Sequence, residues 1–252
     1  MIETLTHLFE PGGALGLLAL SPPGWGATLL MGLLRSMEIA IGAYAVGLVI
    51  GILSAYGKLY GNEVVRDIFA LYTTLVRAVP ELVLILILYY GGPGALNGIL
   101  IEFGFSRVSL PQMPVGIMVL GFVLGAYMTE VLRGAILAVP GGQIEAGRAY
   151  GMPPLMIARR ITFPQMMANA IPGMANLWLN ATKDTALLAV IGFNELTLST
   201  KEAAGATKSY LMFFIAAGIL YLIISYLSIR IFARIERWAR KGERPMAKGG
   251  AI

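Results

Sequence analysis

The chain has 252 residues, 57% hydrophobic and 13% charged. Soluble domains carry about 25% charged residues, so a mean hydropathy of +0.75 makes the bilayer the solvent for much of the chain. No cysteine and one histidine, His7, exclude disulfides, thiolate metal sites and a histidine-based metal or catalytic cluster, and the net charge of +5 is gathered in a few segments, which points to membrane topology and away from nucleic acid.

The opening MIETLTHLFEPGG has no basic region ahead of an apolar core and does not read as a cleaved signal peptide. Residues 11–34 are uncharged, but the glycines and Pro22-Pro23 would break a spanning helix. Residues 1–24 are expected to form a periplasmic or interfacial segment that leads into the first span near Trp25, with a sixth helix as the alternative. Crossing the hydrocarbon core takes about 20 apolar residues. Runs near that length occur at 39–57, 68–101 (broken only by Arg77 and Glu81), 108–129, 161–182 and 209–229. Backbone groups in lipid must be satisfied within the segment, so these runs predict an all-α polytopic protein. Its five transmembrane helices lie in a domain over 25–235, followed by a basic tail over 236–252.

Five spans put the termini on opposite sides. The side of the C-terminus carries Lys58, Arg66, Arg133, Arg148, Arg159, Arg160 and the seven basic residues from Arg230 to Lys248, namely Arg230, Arg234, Arg237, Arg240, Lys241, Arg244 and Lys248. The other side carries Arg107, Lys201 and Lys208. The excess of basic residues in cytoplasmic loops places the C-terminus in the cytoplasm and the N-terminus outside.

The loop after the third span, within 138–164, reads AVPGGQIEAGRAYGMPPLMIARRITFP. It is longer than the usual 2–8 residues between bundle helices. Residues 143–150 predict a short helix, with Glu145 and Arg148 spaced i, i+3 for a pair. Gly151 suits the left-handed position past the helix end, and Pro153-Pro154 bars continuation. Ala146, Gly147 and Ala149 are small enough to admit another surface. Such a crosswise helix could dock in a groove on a partner; an ordinary amphipathic loop helix is the plainer reading.

Charges near the bilayer centre are costly and need a partner or a wet cavity. Arg77 and Glu81 lie four apart in the second span, with Pro80 between them. Glu130 and Arg133 close the third. Asn176, Asn180 and Asp184 form an i, i+4 stripe on the fourth, beside Lys183. One reading makes these residues line a solute path, with Asp184 or Glu130 meeting a cationic group and Lys183 an acidic one. The other has them pair with each other or sit at the headgroups. Pro164 and Pro172-Gly173 predict kinks in the same span. Gly42, Gly47 and Gly51 predict close helix packing in the first.

The long loop resembles the EAA loop of ABC importer permeases, in which EAA is followed by three residues, Gly, nine residues and Ile-x-Leu-Pro. Here Glu145-Ala146-Gly147 is followed at those spacings by Gly151 and by Ile161-Thr162-Phe163-Pro164. Gly147 replaces the second Ala, lowering helix propensity by about 1 kcal/mol, and Phe163 replaces Leu. Glu202-Ala203-Ala204 lacks the downstream pattern and reads as chance. The resemblance runs from about Trp25 to Arg240. YTTLVRAVPELV (72–83) is similar to the family's RGxP segment, with Ala78 for Gly. GAYMTEVLRGAILAVPGGQIEAG (125–147) is similar to its AYxxExxRG stretch, and IPGMANLWLNATKDTALLAVIG (171–192) to its lP…N…lKdTsL segment. These are marks of the polar amino-acid subfamily, Q-type subunits of histidine/lysine-arginine-ornithine and opine systems.

The resemblance implies a five-helix MetI-like core in the bacterial inner membrane, working as a pair of permease subunits. A paralogous heterodimer is favoured and a homodimer is possible. It implies a periplasmic amino-acid-binding protein and ABC ATPase subunits as partners. The substrates implied are polar or basic amino acids or opines, such as histidine, arginine, lysine, ornithine and octopine. Gln143, Glu145, Ala146, Gly147, Arg148 and Gly151 would couple to the ATPase, with Glu145 as the polar contact or capping charge and Gly151 as the turn that sets the helix angle. No catalytic residue, metal or cofactor is implied. The chain has no G-x-x-x-x-G-K-[ST] loop, so ATP would bind a separate polypeptide. The competing readings are an ion-coupled secondary transporter or channel, which leaves the EAA spacing unexplained, a membrane-embedded enzyme and a membrane scaffold.

Overall fold

The computed structural model describes residues 16–241, and among these all regular structure is helical. Expectations for residues 1–15 and 242–252 lie outside the described residues. After a 3-10 turn at Gly16–Leu18, helix α1 runs Gly26–Tyr60. Thirty-five residues at 1.5 Å each make it about 52 Å long, more than a bilayer core requires. The turn docks back on its start, with Trp25 N donating to Leu17 O at 2.8 Å. The chain therefore enters the first helix at Trp25.

Asn62 then caps α2 (Glu63–Ala78), accepting from Val65 N at 2.9 Å. The expected second span over 68–101 is not one helix. It divides into α2 and α3 (Glu81–Glu102), with Val79 extended at φ −98, ψ 140. The cause is Pro80: it has no N–H to give, and its ring drives the preceding residue out of the helical region. Arg77 and Glu81 thus flank a break rather than share a helix.

Helix α4 (Gln112–Leu137) is the centre of the bundle. Of its most apolar stretch 67% is buried within the single chain, against 6% for α3. The α1–α4 pair is the most extensive in the fold. It is possible because glycines on each helix leave room for side chains of the other. A Cβ on Gly51 would come within 2.6 Å of Met128 Cγ, and one on Gly121 within 2.7 Å of Val46. Helices in lipid gain little from the hydrophobic effect against each other, so such close van der Waals contact holds the pair.

The connection after α4 is α5 (Gly141–Ala149), α6 (Pro154–Ile157), a π-helical turn at Ala158–Thr162, and α7 (Phe163–Asp184). The π turn lies directly before Pro164, whose missing N–H cannot serve the turn above it; irregular turns of this kind accompany such sites. Helix α7 packs on α4, α9 and α1. Tyr44 braces it, donating to Met174 O at 3.0 Å and meeting Trp178 edge-on at 5.4 Å, while Trp178 Nε1 donates to Ser228 Oγ at 2.9 Å.

A 3-10 stretch (Thr185–Ile191) ends at Gly192, φ +86. Then comes α8 (Leu196–Thr207), and last α9 (Tyr210–Ala239). The Glu202-Ala203-Ala204 triplet lies in α8, where both alanines are fully buried in a cluster with Leu29 and Phe213. It is a packing surface of the bundle. Among the described residues four helices, α1, α3, α4 and α9, are long and apolar enough to cross a membrane. At 22 residues α7 has the length, but its polar face lowers its hydropathy.

Gly51→Leu is expected to destabilise the fold by about 1–3 kcal/mol through overpacking of the α1–α4 seam. Heating the detergent-purified protein and following its folded fraction would read this, and an unchanged melting temperature would show that the two helices part without cost.

Candidate functional site

The loop helix α5 is held against the root of α7 at two points. Gly147 is buried where its missing Cβ would lie 2.9 Å from Ile161 Cδ1 and 3.2 Å from Ile157 Cγ1. The Gln143 and Gln165 side chains hydrogen-bond, and Gln165 Nε2 also donates to Ile161 O at 3.1 Å. The helix closes with Gly151 at φ +73 and with Met152 N donating to Gly147 O at 3.0 Å. This is a left-handed C-terminal turn of the kind glycine favours. The outward face carries Glu145, Ala146, Arg148 and Ala149. Glu145 and Arg148 make no ion pair with each other among the described residues, which corrects the i, i+3 pairing expected from spacing. Exposed side chains on a short helix lose more rotamer freedom in pairing than a screened contact returns.

Two residues that spacing did not single out add apolar surface to this face. Tyr150 is 86% exposed and Leu155 81%. Beside them a shallow groove of about 450 Å³ is lined by Pro153, Leu155, Met156, Arg159 and Arg160. Two large apolar side chains pointing off a loop into solvent, next to unpaired charge, are what a protein-docking face offers.

The in-span charges fall into two sets. Glu81, at the start of α3, acts electrostatically on Tyr127 of α4 and on Asp184 at the end of α7, and Arg77 acts on Tyr127. The structure thus gathers Arg77, Glu81, Tyr127 and Asp184 from four helices. No ion pair joins Arg77 to Glu81. Asn176 and Lys183 are exposed on α7, and Asn180 and Asp184 half-buried. Glu130 belongs to the second set, where it binds Lys58 and Arg133.

A third polar centre escaped the sequence reading. Glu195, fully buried, caps α8, its Oε1 accepting from Leu198 N at 2.8 Å. Its Oε2 accepts from Ser36 Oγ at 3.1 Å and Tyr221 OH at 3.2 Å. Ser36 in turn accepts from Leu196 N at 3.1 Å. One carboxylate therefore ties α1, α8 and α9 together. The available signal was a lone acid in the uncharged run between Asp184 and Lys201.

A bundle of membrane-length helices that carries between two of them a small, seated helix with an exposed mixed face defines a polytopic membrane protein. The family described as "Binding-protein-dependent transport system inner membrane component" matches residues 47–241, and the chain belongs to it. It is 39% identical to the histidine/lysine/arginine/ornithine transport system permease protein HisQ of Escherichia coli (strain K12), over 85% of this chain and 94% of that protein. It is 38% identical to the nopaline transport system permease protein NocQ of Agrobacterium fabrum, over 91% and 98%. A solved amino acid ABC transporter with histidines matches at TM-score 0.72 and 26% identity, covering 84% of this chain and 94% of that one. The MetNI methionine ABC transporter in an inward-facing conformation shares the fold, at TM-score 0.69 and 18% identity.

Gly147→Leu is expected to lift α5 off Ile157 and Ile161. Trypsin would then cut at Arg148 about tenfold faster, the change in opening that ~1.4 kcal/mol of overpacking produces. Gly147→Ala, which asks only the end of a flexible isoleucine to shift, should leave the cleavage rate unchanged.

Proposed function

We propose that this chain is the permease subunit of a binding-protein-dependent ABC importer for polar or basic amino acids or opines, seated in a bacterial inner membrane. The observation that carries the reading is the seating of α5. It is seated by Gly147 on Ile157 and Ile161, just ahead of α7, and tied to α7 itself by Gln143, and it presents Glu145, Arg148 and Tyr150 outward. A force on that face passes into α7 rather than being absorbed by a loose loop. ATPase subunits supply the force, and a periplasmic amino-acid-binding protein delivers the solute. Glu145 gives the polar contact, and Gly151 sets the angle of the helix.

Five spans are formed by α1, α3, α4, α7 and α9, with the N-terminus periplasmic and the C-terminus cytoplasmic. The run of Arg230, Arg234, Arg237, Arg240 and Lys241 at the end of α9 supports this orientation. The polar stripe Asn176, Asn180, Lys183, Asp184 on α7, exposed at Asn176 and Lys183, faces a second permease subunit, by preference a paralogue, and the solute passes between the two. Glu81 and Asp184 receive the cationic groups of the solute, and Arg77 its carboxylate.

Purification from the native membrane tests the reading. An ATPase and a solute-binding protein should co-elute, and ATP hydrolysis should rise when a basic amino acid is added. Glu145→Lys should cut that stimulated hydrolysis about tenfold, the loss of ~1.4 kcal/mol at a docking charge, with insertion in the membrane unchanged. Transport without any ATPase partner would favour the ion-coupled alternative.

Asp184→Asn should raise the half-saturating concentration for lysine or arginine in transport several-fold and leave that for a neutral polar amino acid near the parent value. An equal effect on both would remove Asp184 from the recognition of charge.

A further inference from the structure

Lys58 lies in the last turn of α1, and its Nζ donates to Glu130 Oε1 of α4 at 2.6 Å and to Thr73 Oγ1 of α2 at 2.9 Å. The second oxygen of Glu130 accepts from Arg133 Nε at 3.2 Å. Both carboxylate oxygens and the ammonium are thus engaged. The side chains of Lys58 and Glu130 are 14% and 22% exposed, sheltered enough that solvent screens the pair little. Thr73 is buried and donates to Ala70 O at 3.1 Å, which turns its lone pairs toward Lys58. Three helices, the consecutive α1 and α2 and the more distant α4, meet at this one cation.

The place of the cluster matters as much as its chemistry. It closes the glycine-packed α1–α4 seam at the end where α4 runs into the loop helix. Glu130 stands about 10 Å, at 1.5 Å per residue, from the end of α4 at Leu137. Immediately above it on α1, Ser54 Oγ is buried with no hydrogen-bond partner, so the ion cluster is the polar tie between α1 and α4 at this level. Below it, no ion pair or hydrogen bond among the described residues links α1 to the loop.

We infer that Lys58, Glu130 and Thr73 form a clamp that makes α1, α2 and α4 one rigid body, so that motion reaching α4, through the short link to α5, moves α1 and α2 with it. Lys58 and Thr73 are positioning residues. Glu130 acts through them and does not meet the solute. The inference rests on the importer reading of α5 and adds the route by which motion leaves the loop.

The test uses the complete complex of permease, ATPase and binding protein in proteoliposomes, and reads solute moved per ATP hydrolysed. Lys58→Met and Glu130→Gln should each lower that ratio about tenfold, with Lys58→Met leaving basal hydrolysis as in the parent. The exchanged pair, Lys58→Glu with Glu130→Lys, should recover to within about threefold, the scale of coupling between contacting charges. The chain has no cysteine, so Lys58→Cys with Glu130→Cys can be joined by a short bifunctional thiol reagent. Joining should restore the ratio without any charge. Thr73→Val, which leaves no charge unpaired, should lower the ratio about threefold and decides the question where the single-charge variants do not assemble.

Parent ratios in all three single variants would overturn the clamp. So would transport that stops when the cysteines are joined, since α1 and α4 would then have to slide. A raised half-saturating solute concentration at an unchanged ratio would overturn it too, returning Glu130 to the solute path. A parent complex without solute-stimulated hydrolysis would instead defeat the importer reading.

Discussion

The structure depends on one contact, the close approach of α1 and α4. Both helices run in the same direction through the bundle. Where Gly51 meets Met128 and Gly121 meets Val46, no side chain keeps the backbones apart. In water such a pair would be driven together by the exclusion of solvent. In lipid the surrounding chains are as apolar as the helices, so only close packing and a few polar ties distinguish the associated state. The seam supplies the packing. Lys58 with Glu130 supplies a tie at one end. Near the other, the buried Glu195 holds α8 and α9 to α1 through Ser36 and Tyr221.

This frame explains where the polar groups go. Those that maintain the fold are satisfied inside one chain: Glu195 accepts three hydrogen bonds, and Lys58 reaches two acceptors. Those on the outer face of α7 are not. The side chains of Asn176, Asn180 and Lys183 make no hydrogen bond or ion pair with another described residue. A polar stripe left bare on a helix of membrane length needs a neighbour or water beside it. That requirement is the physical ground for placing a second subunit and the solute there. The same contrast separates the two Glu-Ala triplets. In α8 the alanines are buried and serve packing; in α5 Glu145 and Ala146 face outward, and only Gly147 is spent on packing.

The break between α2 and α3 shapes the cluster of Arg77, Glu81, Tyr127 and Asp184. Had residues 68–101 formed one helix, Arg77 and Glu81 would have stacked one turn apart as a local pair. Pro80 turns the chain at that point, so Glu81 starts a new helix and lies near Tyr127 and Asp184. A search for uncharged runs cannot register this, because a proline is as apolar as its neighbours by composition and acts only through its missing donor and fixed dihedral.

The sequence by itself determined the solvent, the helical class and the family, the last through the spacing of Glu145, Gly151 and Ile161 to Pro164. These are matters of composition and of short-range geometry, and each is carried by residues a few positions apart. Only the tertiary structure decided which charges belong together. Glu130 lies three residues from Arg133, and spacing alone offered it to the solute path; the fold engages it with Lys58, 72 residues away. Glu195 stands out locally only as a lone acid in an uncharged run; that it is a hub could not be read there, because its partners Ser36 and Tyr221 are 159 and 26 residues distant. Side-chain partners across a bundle are fixed by helix register and depth in the membrane, and neither is written in any one segment of the chain.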